Sequence, residues 1–418
     1  MPAKPTTRGF TAKRANPNSG VFSLRLPIDS SYSTFNELMS NPSSGYQPLV
    51  ETTWSMVQSQ GWAAATDSAL GFENTSPESN ILLSFADSLQ SAAAKAKGSF
   101  LPELDFNHQA IDLCWNKERL YAKLKAVGLM PIPYGIVDLS GMSSEDLLDD
   151  LSNDVCQYIV KPVIGSGSRV VRIETSKEEL RVAIRRVITE PHTQRFMVMQ
   201  YVSEKFDGYV EFSLDGVFLN GQVAHCSVLG KEKIDEVPEF RDRAMVTLQD
   251  KEGVFRLLAK QALEAIGVVN VVFHLEARAT KDGVVLIDAA LRPGGGFIPD
   301  AVKLATGLDI RLAYAYICAG QIDDVSRLIS SAKPLVNASA IGAFYWGRSA
   351  PVSTGDIKKT IDVIESEPYV AGFNLDSNLI FGAGPLTSEA ALSLCVGANS
   401  EDLALGTMVS LANQLGFV

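Results

Sequence analysis

After Asn116, the apolar residues Leu120, Leu124 and Val127 recur at helical spacing, Gly128 follows where a helix-ending glycine belongs, and prolines come next. This pattern predicts a helix beginning near Asn116. SSEDLLDDL predicts another helix, and QYIVKPVIGSGSRVVRIE predicts a strand, a Gly/Ser loop and a second strand. SKEELRVAIRRVI is amphipathic and opens with a capping box from Ser176 to Glu179. FMVMQYV reads as a buried strand, and VEFSLDGVFLNGQVAHCSVLGK as a hairpin turning at Asn220-Gly221, a pair that accepts the positive φ values of a type I′ turn. VFRLLAKQALEAIG predicts a helix ended by Gly267. Further helices are expected near Ala301 to Thr306, after Asp309, and over SEDLALGTMVSLANQLG.

The pattern becomes chemical in VVNVVFHLEARATKDGVVLIDAALRPGGG, where two strand-like runs flank Lys281, Asp282 and Gly283. A hairpin centred on Asp282 gathers Phe273, Leu275 and Ala277 with Val285, Ile287 and Ala289 on a wholly apolar face. The other face sets His274, Glu276 and Arg278 opposite Ala290, Asp288 and Leu286. Glu276 and Asp288 then face each other with Cβ atoms roughly 5 Å apart. Carboxylates this close tend to keep a shared proton unless a cation relieves them. Mg²⁺ does so with one or two carboxylates, completing its shell from phosphate and water. Arg292 follows on the same face, and Gly294, Gly295 and Gly296 begin just past the strand end, where bare amides can approach an anion. The competing readings are a loose glycine turn and a half-solvated acidic hairpin.

Composition narrows the classes. The 418 residues are 46% hydrophobic and 20% charged, which fits a soluble protein of two to four domains or subdomains. No apolar stretch approaches the roughly 20 residues that span a bilayer, and no secretory h-region opens the chain, so no membrane partner and a cytoplasmic location are expected. The net charge of −11 argues against a general affinity for nucleic acid. Cys114, Cys156, Cys226, Cys318 and Cys395 form no CxxC pair, and His108, His192, His225 and His274 do not cluster at ligand spacing. Residues 1–20 read as a flexible tail, with a transit peptide as the alternative. From Val21 to Asp112 the pattern is weak and lacks a dinucleotide-binding glycine turn.

IVKPVIGSGSRVVRI adds a second anion element: Lys161 ends one strand, and Gly165-Ser166-Gly167-Ser168 leads into another. It is not a Walker A loop, which needs GxxxxGK[ST] entering a helix. A strand-loop-strand flap can still cover phosphates with backbone amides and Ser hydroxyls. Taken alone, the loop equally fits a tight surface turn.

Over about residues 113–330 the order of these parts resembles the ATP-grasp superfamily, and in particular its carboxylate–amine ligases of the L-amino-acid ligase type. HLEARATKDGVVLIDAALRPGGGFIPDAVKLATGLDI is the most specific block: it looks like that family's HxE, ExNxR, Gly-Gly and ATG-D run. The likeness implies an α/β fold with α+β subdomains: an N-terminal α/β domain over 21–112, a small ATP-grasp subdomain over 113–205, a large one over 206–330 and a C-terminal appendage over 331–418. It implies that Lys117 and Lys161 bind nucleotide, that Ser166, Gly167 and Ser168 form the phosphate flap, and that Met199, Gln200, Tyr201 and Val202 form the adenine hinge. Glu211 would hold the ribose, and Lys231 or Lys233 a phosphate. Glu276 and Asp288 would be the magnesium ligands. Arg292, with Gly295 and Gly296, would stabilise the acyl phosphate and the tetrahedral intermediate. Glu239, Arg241 and His274 are candidate substrate contacts, a solvated loop and a structural histidine being the alternatives.

The chain departs from the family pattern at Ala290, where Asn is usual, and at Met199 and Gln200, where a hinge acid is usual. The implied cofactors are ATP and two Mg²⁺ ions, the implied partners are a small-molecule carboxylate and amine, and a homodimer is the candidate assembly. The implied reaction activates an amino-acid carboxylate as an acyl phosphate and joins it to the amine of a second amino acid. Another carboxylate–amine ligase and a nucleotide-binding protein without ligation are the competing functions.

Overall fold

A computed structural model describes residues 107–138, 157–164, 172–174, 195–202, 204–233, 242–318, 320–344, 354–375 and 392–415. The expected tail, residues 21–106 of the expected N-terminal domain, and the helices at SSEDLLDDL and SKEELRVAIRRVI lie outside these residues. Helix α1 (His108–Trp115) leads into α2 (Lys117–Ala126) through Asn116, whose side chain accepts the Arg119 N–H at 3.1 Å and caps the helix. Gly128 follows α2 at φ 78°. The helix therefore starts and stops where its sequence signals lie.

Strands β1 (Tyr134–Asp138), β2 (Tyr158–Pro162), β3 (Arg172–Glu174) and β4 (Arg195–Gln200) form an antiparallel sheet in the order β1-β4-β2-β3. A second, eight-stranded sheet contains β5 (Glu211–Leu219), β6 (Gln222–Lys233), β7 (Asp242–Leu248), β8 (Val271–Thr280), β9 (Gly283–Ala290), β10 (Ala338–Phe344), β11 (Val370–Leu375) and β12 (Leu392–Ala398). Its order is β11-β12-β10-β7-β6-β5-β8-β9. The β5–β6 turn has both Asn220 (φ 51°) and Gly221 (φ 74°) in the left-handed region, as a type I′ hairpin requires. The strands of the expected C-terminal appendage continue this sheet, because β10 pairs with β7 on one side and β12 on the other.

The helices divide the large sheet's two faces. On one, α3 (Val254–Ile266), ended by Gly267 at φ 91°, packs its Phe255, Leu258 and Leu263 with Phe212, Leu214, Phe273 and Leu275. On the other, α4 (Ile298–Thr306) and α5 (Ile310–Cys318) cover Val217, Leu219 and Val272. Helices α6 (Ile322–Ser331) and α7 (Thr354–Ser366) follow, and α8 (Glu401–Leu415) packs on β10 and β12 through Met408 and Leu411. Alternation along β5 explains how a site arises here. Its odd-numbered positions are apolar at Val217 and Leu219, under α4 and α5, and polar at Asp215, Ser213 and Glu211. One face of one strand thus passes from hydrophobic core into polar site.

Candidate functional site

The β8–β9 hairpin sets Glu276 opposite Asp288 and His274 opposite Ala290, as the alternation predicts. The turn differs from the expectation. Thr280 pairs with Gly283, so the loop has only Lys281 and Asp282 between the strands, and a bulge between Glu276 and Ala277 shifts the register by one. Arg278 consequently faces Val285 rather than Leu286, and Ile287 is left over between Asp288 and Leu286. The bulge cancels the shorter turn, which is why the carboxylate pair still meets.

The neighbouring strands extend this row into a polar grid. Glu211 lies between Lys231 and Arg278, Ser213 beside Glu276, and Asp215 beside His274. Lys231 Nζ stands 3.1 Å from Glu211 Oε1 and 2.5 Å from Glu276 Oε1, while Arg278 bonds Glu211 Oε2. On the far side of the hairpin, Lys117 Nζ is 3.1 Å from Asp288 Oδ2. The conflict between the facing carboxylates is therefore answered by two ammonium groups brought from α2 and β6. Burial pushes the Glu276 carboxyl up, but Lys231, together with His274, pulls it down, and the net leaves the group below its usual value.

Lys161 projects from β2 into the same region, only 7% exposed, with Nζ 2.7 Å from Tyr121 Oη and 3.2 Å from the Ile287 carbonyl. Burial lowers its pKa, and the negative charges of Asp288 and Glu276 oppose that shift without cancelling it. The hinge residues meet the grid through Arg278, whose guanidinium lies 4.7 Å from the Tyr201 ring centre and donates to the Val202 carbonyl at 3.5 Å. Gln200 ends β4 with its N–H bonded to the Pro133 carbonyl. Glu211, expected at the ribose, is 2% exposed and engaged at both oxygens by Lys231 and Arg278.

The glycine run follows β9. Gly294 donates its N–H to Asp215 Oδ1 at 3.1 Å, and a Cβ there would stand 2.6 Å from that oxygen and 3.0 Å from His274 Nδ1. Gly296 takes φ 58°, and Gly295 O accepts the Ile298 N–H as α4 begins. Asp215 Oδ1 also meets His274 Nδ1 at 3.0 Å, and Ser213 Oγ donates to Asp215 Oδ2 at 2.5 Å. His274 Nε2 lies 4.0 Å from Glu276 Oε1. Burial lowers the His274 pKa, but Asp215 and Glu276 outweigh it and leave the group above its usual value. Arg292 is buried, donates to the Pro293 carbonyl at 2.8 Å, and is close enough to His274 to oppose its protonation.

Hence Lys117, Lys161, Lys231, Glu211, Glu276, Asp288, Arg292, His274 and the glycines belong to one region. Ser166, Gly167, Ser168, Glu239, Arg241 and the side chain of Lys233 lie outside the described residues. Sequence reasoning overlooked Ser213, Asp215 and Tyr121, and placed Arg278 on the site face without assigning it a role. The alternation of Glu211, Ser213 and Asp215 with Phe212, Leu214 and Gly216 was a readable signal for the first two; nothing local marks Tyr121.

A family model described as an ATP-grasp domain matches residues 155–300. No curated protein sequence matches the chain with significance. Among solved structures, the chain is similar to an L-amino acid ligase from Bacillus licheniformis at 18% identity and TM-score 0.61, covering 80% of this chain and 79% of that one. It is similar to N5-carboxyaminoimidazole synthase from Aspergillus clavatus, in complex with ADP and 5-aminoimidazole ribonucleotide, at 13% identity and TM-score 0.59, covering 85% and 86%. It is also similar to phosphoribosylglycinamide synthetase from Anaerococcus prevotii at 12% identity and TM-score 0.57, covering 88% and 95%. At these identities the likeness establishes the fold. No helix among the described residues is long and apolar enough to cross a membrane.

Proposed function

We propose, from the premise that the chain carries an ATP-grasp domain, that it is an ATP-dependent, ADP-forming ligase joining the carboxylate of one amino acid to the amine of another. One observation carries this reading: Glu276 and Asp288 face each other across the hairpin, each beside a lysine, at the strand end that leads into Arg292 and the glycines. The donor set fits Mg²⁺. It is two carboxylates, all oxygen, and Mg²⁺ commonly takes one or two carboxylates with phosphate and water completing its shell. When bound there, Mg²⁺ would offset the charge on a transferring phosphoryl group.

The chain's own residues have separable tasks in this reading. Lys117, Lys161 and Lys231 neutralise phosphate charge, exchanging part of their present carboxylate and carbonyl contacts for the nucleotide. The 199–202 hinge presents backbone groups to adenine, with Arg278 holding Tyr201 and Val202 in place. Arg292, with the amides of Gly295 and Gly296, receives the oxyanion formed when the amine attacks the activated carboxyl carbon. Loss of one such donor typically costs ~3 kcal/mol, about a hundredfold in rate. The similarity to the L-amino acid ligase over most of both chains supports amino acids as substrates.

Ala290 favours a second reading, a nucleotide-binding protein without ligation, because its methyl cannot contribute an oxygen beside Asp288. The test is ADP and phosphate release across a panel of amino-acid pairs, with mass detection of products. The ligase reading expects a dipeptide from at least one pair, formed about a hundredfold more slowly in Arg292→Ala while the fold is kept. Products only from other acids or amines would reassign the substrate class. Nucleotide binding with no turnover on any pair would support the second reading.

A further inference from the structure

The bulge in the site hairpin leaves one carbonyl, that of Ile287, next to the residue proposed to hold metal, and that carbonyl is occupied. Tyr121 Oη donates to it at 2.5 Å, and Lys161 Nζ approaches it at 3.2 Å. Tyr121 is fully buried on α2 and stands one turn beyond Lys117, so both side chains leave the same helix face. Their targets are consecutive on β9: Lys117 reaches the Asp288 carboxylate at 3.1 Å, and Tyr121 the Ile287 carbonyl. Helix α2 therefore grips the edge strand of the large sheet at two adjacent points.

Tyr121 also holds the second lysine. Its oxygen accepts from Lys161 Nζ at 2.7 Å, and the ammonium lies 4.9 Å from the centre of the same ring. The hydroxyl satisfies both contacts at once, giving its proton to Ile287 and a lone pair to Lys161. Tyr134 of β1 packs edge-on against the ring at 5.3 Å, which restricts where that oxygen can go. Four pieces of chain meet at this oxygen: α2, β2, β9 and, through Met199 Sδ at 3.8 Å, β4.

We infer that Tyr121 is a positioning residue: its hydroxyl sets the place of the Lys161 ammonium relative to the Glu276–Asp288 pair by fastening both to the bulge carbonyl of Ile287. The inference rests on the reading of Lys161 as a nucleotide contact. A bulge without an outside partner would offer Lys161 only the carbonyl, and the lysine stem would be free to take other rotamers.

Tyr121→Phe tests this, because it keeps the ring and removes one oxygen. Two readouts are needed on the full-length protein. First, acetylation of Lys161 by acetic anhydride, read by peptide mass spectrometry in native protein, is expected to rise severalfold in Tyr121→Phe relative to the other buried lysines. Second, the Kd for ATP with Mg²⁺ is expected to rise about tenfold, the scale of one hydrogen bond to a charged group. In a Lys161→Met background the same Tyr121→Phe change should leave Kd unaltered, since it acts through the lysine. Unchanged Lys161 labelling overturns the inference, as does an equal loss of affinity in both backgrounds, which marks a merely structural tyrosine. Wild-type protein that binds no nucleotide sinks the functional reading instead, and the labelling comparison still decides the tether.

Discussion

At the scale of single residues, the site is a set of buried charges whose partners come from elsewhere in the chain. Lys231 is 3% exposed between Glu211 and Glu276, so removing it would leave Glu276 without this cation and Glu211 with Arg278 alone, a loss that commonly costs several kcal/mol. His225, on β6 just before this row, gives the clearest titration. Burial, aided by the charge of Arg256, lowers its pKa to about 4, and its Nε2 contacts Ser227 Oγ at 2.8 Å. The unfolded chain therefore takes up this proton more readily than the folded one. The stability contributed by neutral His225 is complete above about pH 6.5 and is lost as pH falls toward 4, by about 3 kcal/mol. Urea denaturation at pH 7 and pH 4.5 should show a steeper loss in wild type than in His225→Gln; parallel losses would mean that His225 does not titrate in this way.

At the scale of elements, the hairpin and the glycine loop locate the chemistry. The alternation of apolar and polar residues placed Glu276 opposite Asp288 without any structure, because a two-residue period leaves few registers that bury one face. The bulge was not legible. A shorter turn and an extra residue at Ile287 cancel each other in the count, and only the folded strand reveals both. The glycine loop is set by close approach. Gly294→Ala would bring a Cβ within 2.6 Å of Asp215 Oδ1 and 2.8 Å of Ile298 Cγ2, forcing the loop away from β5. Displacement on this scale is expected to lower kcat on the order of a hundredfold while Tm falls only a few degrees. Wild-type kcat in that variant would remove the loop from the reacting centre.

At the scale of the whole molecule, the site hairpin is one end of a sheet whose other end is built from the last part of the chain. β10 and β12 bury Ala340, Phe344, Leu392 and Leu394 with α8, and β10 is the partner of β7. The segment after residue 331 is thus continuous with the site-bearing sheet rather than apposed to it. A chain ending at Ser331 would expose the edge of β7 and the inner face of that core, and is expected to be recovered aggregated rather than as a soluble monomer. Size-exclusion chromatography with circular dichroism checks this; a soluble, cooperatively folding product would show that the sheet closes without those strands.

Local residue order is enough to specify the capped α2, the Asn220-Gly221 turn, the facing carboxylates and the glycines after β9. Each depends on residues close together in the chain, where periodicity, capping and turn chemistry act directly. Which cations answer those carboxylates depends on long-range packing. That packing brings Lys117 to Asp288, Lys231 to Glu276, and Tyr121 with Lys161 to the Ile287 carbonyl. These groups are far apart in sequence, and no local pattern encodes their meeting. Their proximity follows from the packing of α2 and the small sheet onto one end of the large one, where a buried charge must find its partner or fail to fold.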